Sequence, residues 1–258
     1  MTEVLQSQWF EALTPTRRRL LELFCFPYAG GSAQVFRSWQ RSFSREVCLS
    51  LVHLPGRVRR LNEPSFKRLK PLVEAIAEAM IPGLPDSFAF WGHSMGAVIS
   101  FELARELRRR GHSGPLALFV SGRLAPQLPD PDPPTFNLPE EEFISELKRL
   151  NGTPTELLAD PELTKIFLPT IRADFELVNT YEYLLEGPLN CPIYVYGGLE
   201  DKDVSVESLR AWQKQTSGRF KVRMFPGDHF FIHSSTANVI DALRQDVVEI
   251  LPQGSTVR

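Results

Sequence analysis

The chain has 258 residues and a formal net charge of −2 at pH 7, and its 43% hydrophobic and 23% charged residues are an ordinary globular composition. This length is enough for a full hydrophobic core in one or two domains. The chain has no net positive charge that would attract nucleic acid or an anionic membrane. Its start has no secretory signal pattern, and no run approaches the ~18 apolar residues of a membrane span. We therefore expect neither nucleic acid nor a membrane as a partner.

Short apolar runs alternate with longer helical patterns along most of the chain. Continuous apolar runs are typical of strands buried on both faces, and their alternation with helices predicts a mainly parallel, doubly wound α/β sheet. The predicted strands are 20–26, 46–54, 88–91, 116–121, 192–197 and 220–225. Helices are predicted at 72–80, at 97–110 and near 239–251, in addition to those of residues 125–186.

One region interrupts this alternation. Residues 125–134 contain too many prolines for a helix or a strand, and the segment that follows is helical to about Tyr183. Its apolar helix faces either only pack on the sheet or form a lid over a substrate chamber, and both interpretations stay open. We assign residues 125–186 to an inserted helical lid, with the proline-rich entry as a hinge, and residues 1–124 and 187–258 to the core.

Prolines also mark the helices inside this region. Asp160 is expected to cap a helix that begins with Pro161, a proline position that helices tolerate. Pro169 lies within the following apolar stripe and predicts a break in that helix.

The three cysteines lie in or beside apolar runs. An odd number of such thiols is typical of a reducing compartment, so we expect a cytoplasmic protein with buried free cysteines. Their spacing fits no zinc site. They are Cys25, Cys48 and Cys191.

The strongest chemical signal is the sequence GHSMG at 92–96. It follows a strand that ends at Trp91 and precedes a helix, and this strand–turn–helix context is that of a nucleophile elbow with Ser94 as the nucleophile. Small residues on both sides of the serine are required because the turn is sharp. The Met95 N–H, at the helix N-terminus, is placed to face a developing oxyanion.

A serine hydroxyl needs a base, and five histidines are available. His229 is the first candidate because it follows the last strand in a glycine-containing loop, at the end of the sheet where parallel folds collect their chemistry. His233, later in the same segment, is the alternative. His93 lies inside the elbow and points away from the adjacent serine, and His53 and His112 are assigned structural or solvated positions.

The acid of such a site falls between the serine and the histidine in chain order. Three carboxylates follow the strand at 192–197: Glu200, Asp201 and Asp203. We choose Asp201, with Asp203 as the second candidate. The order Ser94, Asp201, His229 is that of the α/β-hydrolase fold and differs from the orders of chymotrypsin and subtilisin.

A second oxyanion donor is expected from the loop after an early strand. The sequence FPYAGGSA lies there, and Gly30 and Gly31 allow the backbone to approach a ligand closely. A plain glycine turn is the alternative interpretation. The sequence is not G-x-G-x-x-G, so a dinucleotide site is disfavoured.

From residue 21 to residue 251 the chain resembles the type II thioesterases of non-ribosomal peptide and polyketide assembly lines. The resemblance implies the α/β-hydrolase fold, with a helical lid where the helical insertion lies. It is carried by FCFPYAGGSA, LPGRVRRLNEP, WGHSMGA, SGRLAP, DPELTKIFLPTIRADFELVNTYEY and MFPGDHFFI.

The resemblance implies roles for individual residues. Ser94 is then the nucleophile, Asp201 the acid and His229 the base. The oxyanion amides are those of Met95 and Ala29, and the assignment of Ala29 rests on the resemblance alone. One segment, PGRVRR at 55–60, departs from the family pattern, because many relatives carry acidic residues after the arginine.

The resemblance also implies a function. Such enzymes hydrolyse acyl groups from the phosphopantetheine arm of an acyl or peptidyl carrier protein, which clears stalled or misprimed chains, and we expect a monomer that needs no metal or cofactor. A carboxylesterase or a chain-releasing thioesterase has the same elbow, because fold and triad do not determine the substrate. A ligand-binding protein with a retained hydrolase fold is the alternative outside the enzymes.

Overall fold

The computed structural model describes residues 8–14 and 19–251. Its strands are β1 Phe10–Ala12, β2 Leu21–Phe26, β3 Val47–Val52, β4 Phe88–His93, β5 Leu118–Ser121, β6 Ile193–Gly198 and β7 Phe220–Phe225. Among the described residues they form one seven-stranded sheet in the spatial order β1-β3-β2-β4-β5-β6-β7. Only β1 is antiparallel to its neighbour, so the predicted α/β fold with a mainly parallel sheet is confirmed.

The sequence prediction omits β1. This strand has three residues, Phe10–Ala12, and pairs with the outer edge of β3. A run this short gives no periodic signal, and it becomes a strand because β3 offers unpaired backbone groups at the sheet edge.

Helices cover both faces of the sheet, which is why its inner strands are buried along their whole length. Phe24 and Phe90 pack with the helices on one face, whereas Trp91 and Tyr196 pack with those on the other. The α-helices are α1 Leu69–Met80, α2 Met95–Arg109, α3 Glu140–Leu150, α4 Thr155–Ala159, α5 Pro161–Asn179, α6 Val206–Arg210, α7 Phe231–Ser234 and α8 Thr236–Ile250. Short 3₁₀ helices occupy Ala33–Ser42, Val58–Arg60, Ile81–Gly83 and Ala211–Gln215. In the described part of the chain, no helix is both long and apolar enough to cross a bilayer.

Helices α3, α4 and α5 form the insertion between β5 and β6. Asp160 caps α5 as predicted, because its carboxylate accepts the N–H groups of Glu162 and Leu163 at 2.9 and 3.2 Å. The predicted break at Pro169 is wrong, since α5 continues through it. Pro169 removes one hydrogen bond, but the carbonyl it leaves is that of exposed Lys165, which water can reach.

The predicted core and insertion boundaries stay a prediction. The chain ends assigned to the core, residues 1–7 and 252–258, lie outside the described residues, as do residues 15–18. Two of the predicted buried thiols, Cys25 and Cys48, are buried and free, whereas Cys191 is partly exposed.

Because β2, β4, β6 and β7 are parallel, their carboxyl ends meet at one edge of the sheet. The loops after these strands carry Ala29, Ser94, Asp201 and His229. Ligand sites of open α/β sheets are formed at this edge, so the topology alone brings the predicted site residues to one place.

Candidate active site

Ser94 lies in the sharp turn between β4 and α2. Its backbone has φ 53° and ψ −113°, a conformation that is costly for a residue with a side chain. The turn is held by the Ser94 N–H, which donates to the Ser121 carbonyl at 2.7 Å, and by the Ala97 N–H, which donates to the Ser94 carbonyl at 3.0 Å. Ser94 is partly exposed while the residues on both sides of it are buried. The elbow therefore presents the serine side chain and hides its neighbours.

The elbow also requires glycine at two positions, because a side chain at either would clash with backbone atoms. A Cβ at Gly96 would lie 2.3 Å from the Phe26 carbonyl oxygen, and one at Gly92 would lie 2.1 Å from the Gly96 carbonyl oxygen. Both contacts are with backbone atoms, which cannot rotate away as a side chain does. Helix α2 thus approaches β2 more closely than any other residue type permits.

Gly96→Ala is expected to lower the free energy of unfolding by about 2 kcal/mol or more, because overpacking outweighs the better helix propensity of alanine. Gly114→Ala is the matched control, since a Cβ there meets nothing within 4 Å. Urea unfolding of both variants checks this. Equal stability of the two proteins would contradict the close-approach argument.

His229 and Asp201 are in direct contact. The His229 Nδ1 lies 2.8 Å from the Asp201 Oδ2, with the Asp201 side chain 1% exposed and the histidine 17% exposed. The other Asp201 oxygen accepts the N–H groups of Asp203 and Val204 at 3.0 and 3.1 Å. The loops after β6 and β7 are also joined by the Glu200 N–H, which donates to the Gly227 carbonyl at 3.0 Å. With Nδ1 held by a carboxylate, Nε2 is the ring nitrogen left for proton transfer.

The two alternative residues point elsewhere. Asp203 accepts a hydrogen bond from Arg149 of α3 at 3.2 Å. His233 lies in α7, and its Nε2 is 3.0 Å from the Tyr28 hydroxyl. Neither contacts the His229–Asp201 pair through its side chain, so the structure brings together the first-choice residues rather than the alternatives.

His93 fills the space behind the site. It is fully buried, its Nδ1 is 2.8 Å from the Ser121 hydroxyl, and its ring centroid is 5.2 Å from that of His229. Burial, together with the nearby rings of His229 and His233, holds the pKa of His93 well below its usual range. The ring is therefore a neutral packing element in the folded protein.

This neutrality has a consequence for stability at low pH. In the unfolded chain His93 takes up a proton below about pH 6.5, whereas in the folded chain it does not, so the unfolded state gains as the pH falls. We expect this residue to lower the unfolding free energy by about 1 kcal/mol at pH 5.5. Urea unfolding at pH 5.5 and 7.5 should show a smaller pH-dependent loss for His93→Gln than for the wild type. The same loss in both proteins would contradict the assignment.

The amides assigned to the oxyanion lie on two different elements. Met95 is the first residue of α2, where N–H groups have no acceptor within the helix. Ala29 lies in the loop after β2, and within the described residues its N–H donates to no protein group, whereas the Gly30 and Gly31 N–H groups donate to Asp174 and the Tyr28 carbonyl. Two amides with no acceptor in the protein are therefore available on these elements, and their assignment to an oxyanion stays a prediction.

A cavity of about 140 Å³ opens at this edge of the sheet, and its walls include Ser94, His229 and Ala29. Helices α3 and α5 close it from the other side with apolar side chains. Those that line it are Leu147, Leu150, Phe175 and Val178. A mostly apolar cavity with a few convergent polar groups is the usual form of a small-molecule site. In the described part of the chain, no three His, Cys, Asp or Glu side chains are grouped to hold a metal ion.

Sequence reasoning missed the polar contacts between the insertion and the core. Arg149 of α3 reaches Asp203, and Asn151 donates to Asp228, next to His229, at 3.4 Å. Asp174 of α5 forms a buried ion pair with Arg57. The one signal for the last pair is a carboxylate on the apolar stripe of α5, where a side chain faces the core.

Comparison with known proteins gives a consistent result. Residues 21–247 match the thioesterase domain family. The chain is 45% identical to the gramicidin S biosynthesis protein GrsT of Aneurinibacillus migulanus, over 93% of this chain and 94% of that protein. It is 34% identical to the thioesterase PikA5 of Streptomyces venezuelae, over 87% and 80%. Among solved structures, it matches the type II thioesterase BorB from the borrelidin biosynthetic cluster with a TM-score of 0.84 and 31% identity, over 92% and 96%.

Proposed function

Because the chain belongs to the thioesterase family, we propose that it hydrolyses acyl thioesters from the phosphopantetheine arm of carrier proteins, and so clears stalled or misprimed assembly lines. Ser94 is the nucleophile, His229 the base and Asp201 the acid of this proposal. The carrier-protein partner is suggested by the relatives, whose names place them in gramicidin S and borrelidin biosynthesis.

The first half-reaction transfers the acyl group to the protein. His229 Nε2 takes the proton of the Ser94 hydroxyl as its oxygen attacks the thioester carbonyl carbon, and Asp201 stabilises the imidazolium that forms. The Met95 and Ala29 amides donate to the oxyanion. The carbon–sulfur bond then breaks and the pantetheine thiol leaves with the proton from His229. A thiol with a pKa near 8.5 needs less help from an acid than an amine does.

The second half-reaction releases the product. Water gives a proton to His229 and attacks the Ser94 ester, the same amides hold the oxyanion, and the acid leaves as the serine regains its proton. His229 carries every proton in this cycle, and no step of the proposed reaction draws on a cofactor.

The observation that carries this proposal is the 2.8 Å contact between His229 and a carboxylate that is 1% exposed, in the wall of the cavity that Ser94 also lines. A buried carboxylate selects the tautomer of the imidazole and orients it. A ligand-binding protein has no need of this arrangement beside a strained serine. The geometry therefore supports turnover rather than binding alone.

The experiment compares one acyl group in two chemical settings. Loss of the acyl group from an acylated carrier protein is timed by intact mass, beside an oxygen ester of the same acid. We expect carrier hydrolysis to exceed the oxygen-ester rate by at least about tenfold in kcat/KM, because carrier binding adds to the chemistry at the thioester. Preferential turnover of the oxygen ester would instead indicate a carboxylesterase on the same fold.

A further inference from the structure

A buried ion pair joins the insertion to the core close to the cavity. Arg57, which is 8% exposed, donates to both oxygens of Asp174, which is 2% exposed, at 2.8 and 2.6 Å. Arg57 precedes the 3₁₀ turn Val58–Arg60, and Asp174 lies in α5, so the pair spans 117 positions of the chain. A bidentate contact of this kind fixes the orientation of the guanidinium relative to the carboxylate.

The pair also holds the loop that carries Ala29. Asp174 Oδ2 accepts the Gly30 N–H at 2.8 Å, and the Arg57 guanidinium donates to the Gly31 carbonyl at 2.9 Å. On the other side of Ala29, the Tyr28 hydroxyl is tied to His233. The Ala29 amide is therefore held between one fixed residue before it and two after it.

Stability alone is a poor reason for this pair. Buried ion pairs are often no more stabilising than apolar residues of the same size, because both charges lose their hydration. The segment also carries backbone strain, since Val58, directly after Arg57, has φ 49°. A positive φ is rare and costly for a β-branched residue. Such strained conformations occur most often where a site needs a fixed geometry.

We propose that Arg57 and Asp174 are positioning residues, which hold the Ala29 amide where the oxyanion forms. Their effect passes through Gly30 and Gly31, and neither side chain contacts the reacting atoms. Since Asp174 belongs to α5, this half of the oxyanion site is complete only when α5 is docked on the core. The inference rests on the proposed function, because it presumes Ser94 as nucleophile and Ala29 as donor.

The pair can be tested without a carrier protein, by measuring how fast a fluorophosphonate labels Ser94. In this reaction the Ser94 oxygen bonds to phosphorus and fluoride leaves, and negative charge develops on the phosphoryl oxygen at the same amides in the transition state, so the maximal rate reports their position. Asp174→Asn leaves one acceptor oxygen where two are used. The double variant Arg57→Met with Asp174→Leu removes both charges, and therefore avoids an unpaired buried ion that would unfold the protein.

Glu176→Gln is the matched control. Glu176 lies on the same helix and forms ion pairs with Lys67 and Arg68, and within the described residues it forms no hydrogen bond with Gly30 or Gly31. We expect the maximal labelling rate to fall at least about tenfold in Asp174→Asn and in the double variant, with the half-saturating concentration changed less than about threefold. Glu176→Gln should be labelled at the wild-type rate.

Labelling of the folded double variant at the wild-type rate would overturn the inference. Circular dichroism and the thermal midpoint establish that this variant is folded. If the wild type is labelled at Ser94 and the two variants are labelled more slowly, but no acyl carrier is turned over, the carrier-protein function is removed and the positioning role is supported. A wild type that is never labelled would remove the nucleophile and this inference with it.

Discussion

Ser94→Ala is expected to lower kcat on an acyl carrier by about 10⁴- to 10⁶-fold while leaving the fold intact. The hydroxyl is the group that forms the covalent bond in the proposed reaction, and no other nucleophile is placed at the elbow to replace it. The remaining rate is that of water attack helped by the oxyanion amides. Single-turnover mass measurements at equal protein concentration check the size of the loss.

Ser94→Gly separates chemistry from strain at the same position. Glycine removes the nucleophile as alanine does, but it adopts φ 53° without a steric penalty. Its unfolding free energy should therefore exceed that of Ser94→Ala by about 1 kcal/mol, with both variants equally inactive. A residual rate above about a tenth of the wild type in either variant would contradict Ser94 as the nucleophile.

Asp201→Asn has the second largest expected effect. An amide in place of the carboxylate favours the wrong imidazole tautomer of His229 and no longer stabilises its charged form, so kcat should fall about 10⁴-fold. KM should change little, because the Asp201 side chain is 1% exposed and contacts the histidine rather than a ligand. Steady-state kinetics on an acyl carrier distinguish the two parameters.

Asp203→Asn is the control for this prediction. It lies two positions away, but its carboxylate contacts Arg149 at the cavity rim and not His229. We expect kcat within about threefold of the wild type, since a partly exposed ion pair contributes little. A larger loss in Asp203→Asn than in Asp201→Asn would reverse the assignment of the acid.

Most of the sheet could be predicted because its inner strands are mainly apolar runs. Runs such as FAFW at 88–91 and LALFVS at 116–121 are typical of strands covered on both sides, and both are buried in the structure. The edge strand Phe10–Ala12 was not predicted, because it forms by pairing with the free backbone groups of β3 rather than through a pattern in its own side chains.

The site was predictable in part. The residue types around Ser94 identify the elbow, because a sharp turn packed against a neighbouring strand excludes side chains at Gly92 and Gly96. The sequence favoured Asp201, but position alone did not separate it from Asp203, since both follow β6 within five positions. It depends on a loop that folds back on Asp201 through two backbone hydrogen bonds.

Long-range polar contacts were the least predictable feature. Arg57 and Asp174 are 117 positions apart, and neither local sequence indicates that the two side chains form an ion pair. The continuation of α5 through Pro169 is a similar case, because it depends on which carbonyl faces water. In both instances tertiary packing decides what local propensity leaves open.

The central claim is that an acyl group passes from a carrier thiol to Ser94 before water releases it. The most direct test is to mix wild-type protein with an acylated carrier, quench at millisecond intervals and record the intact masses of both proteins. The proposed reaction predicts that the carrier loses the acyl mass as the enzyme transiently gains it, with peptide mapping placing the acyl group on Ser94. Release of free acid with no acyl-enzyme at any time, in a protein whose Ser94→Ala variant is equally active, would contradict it.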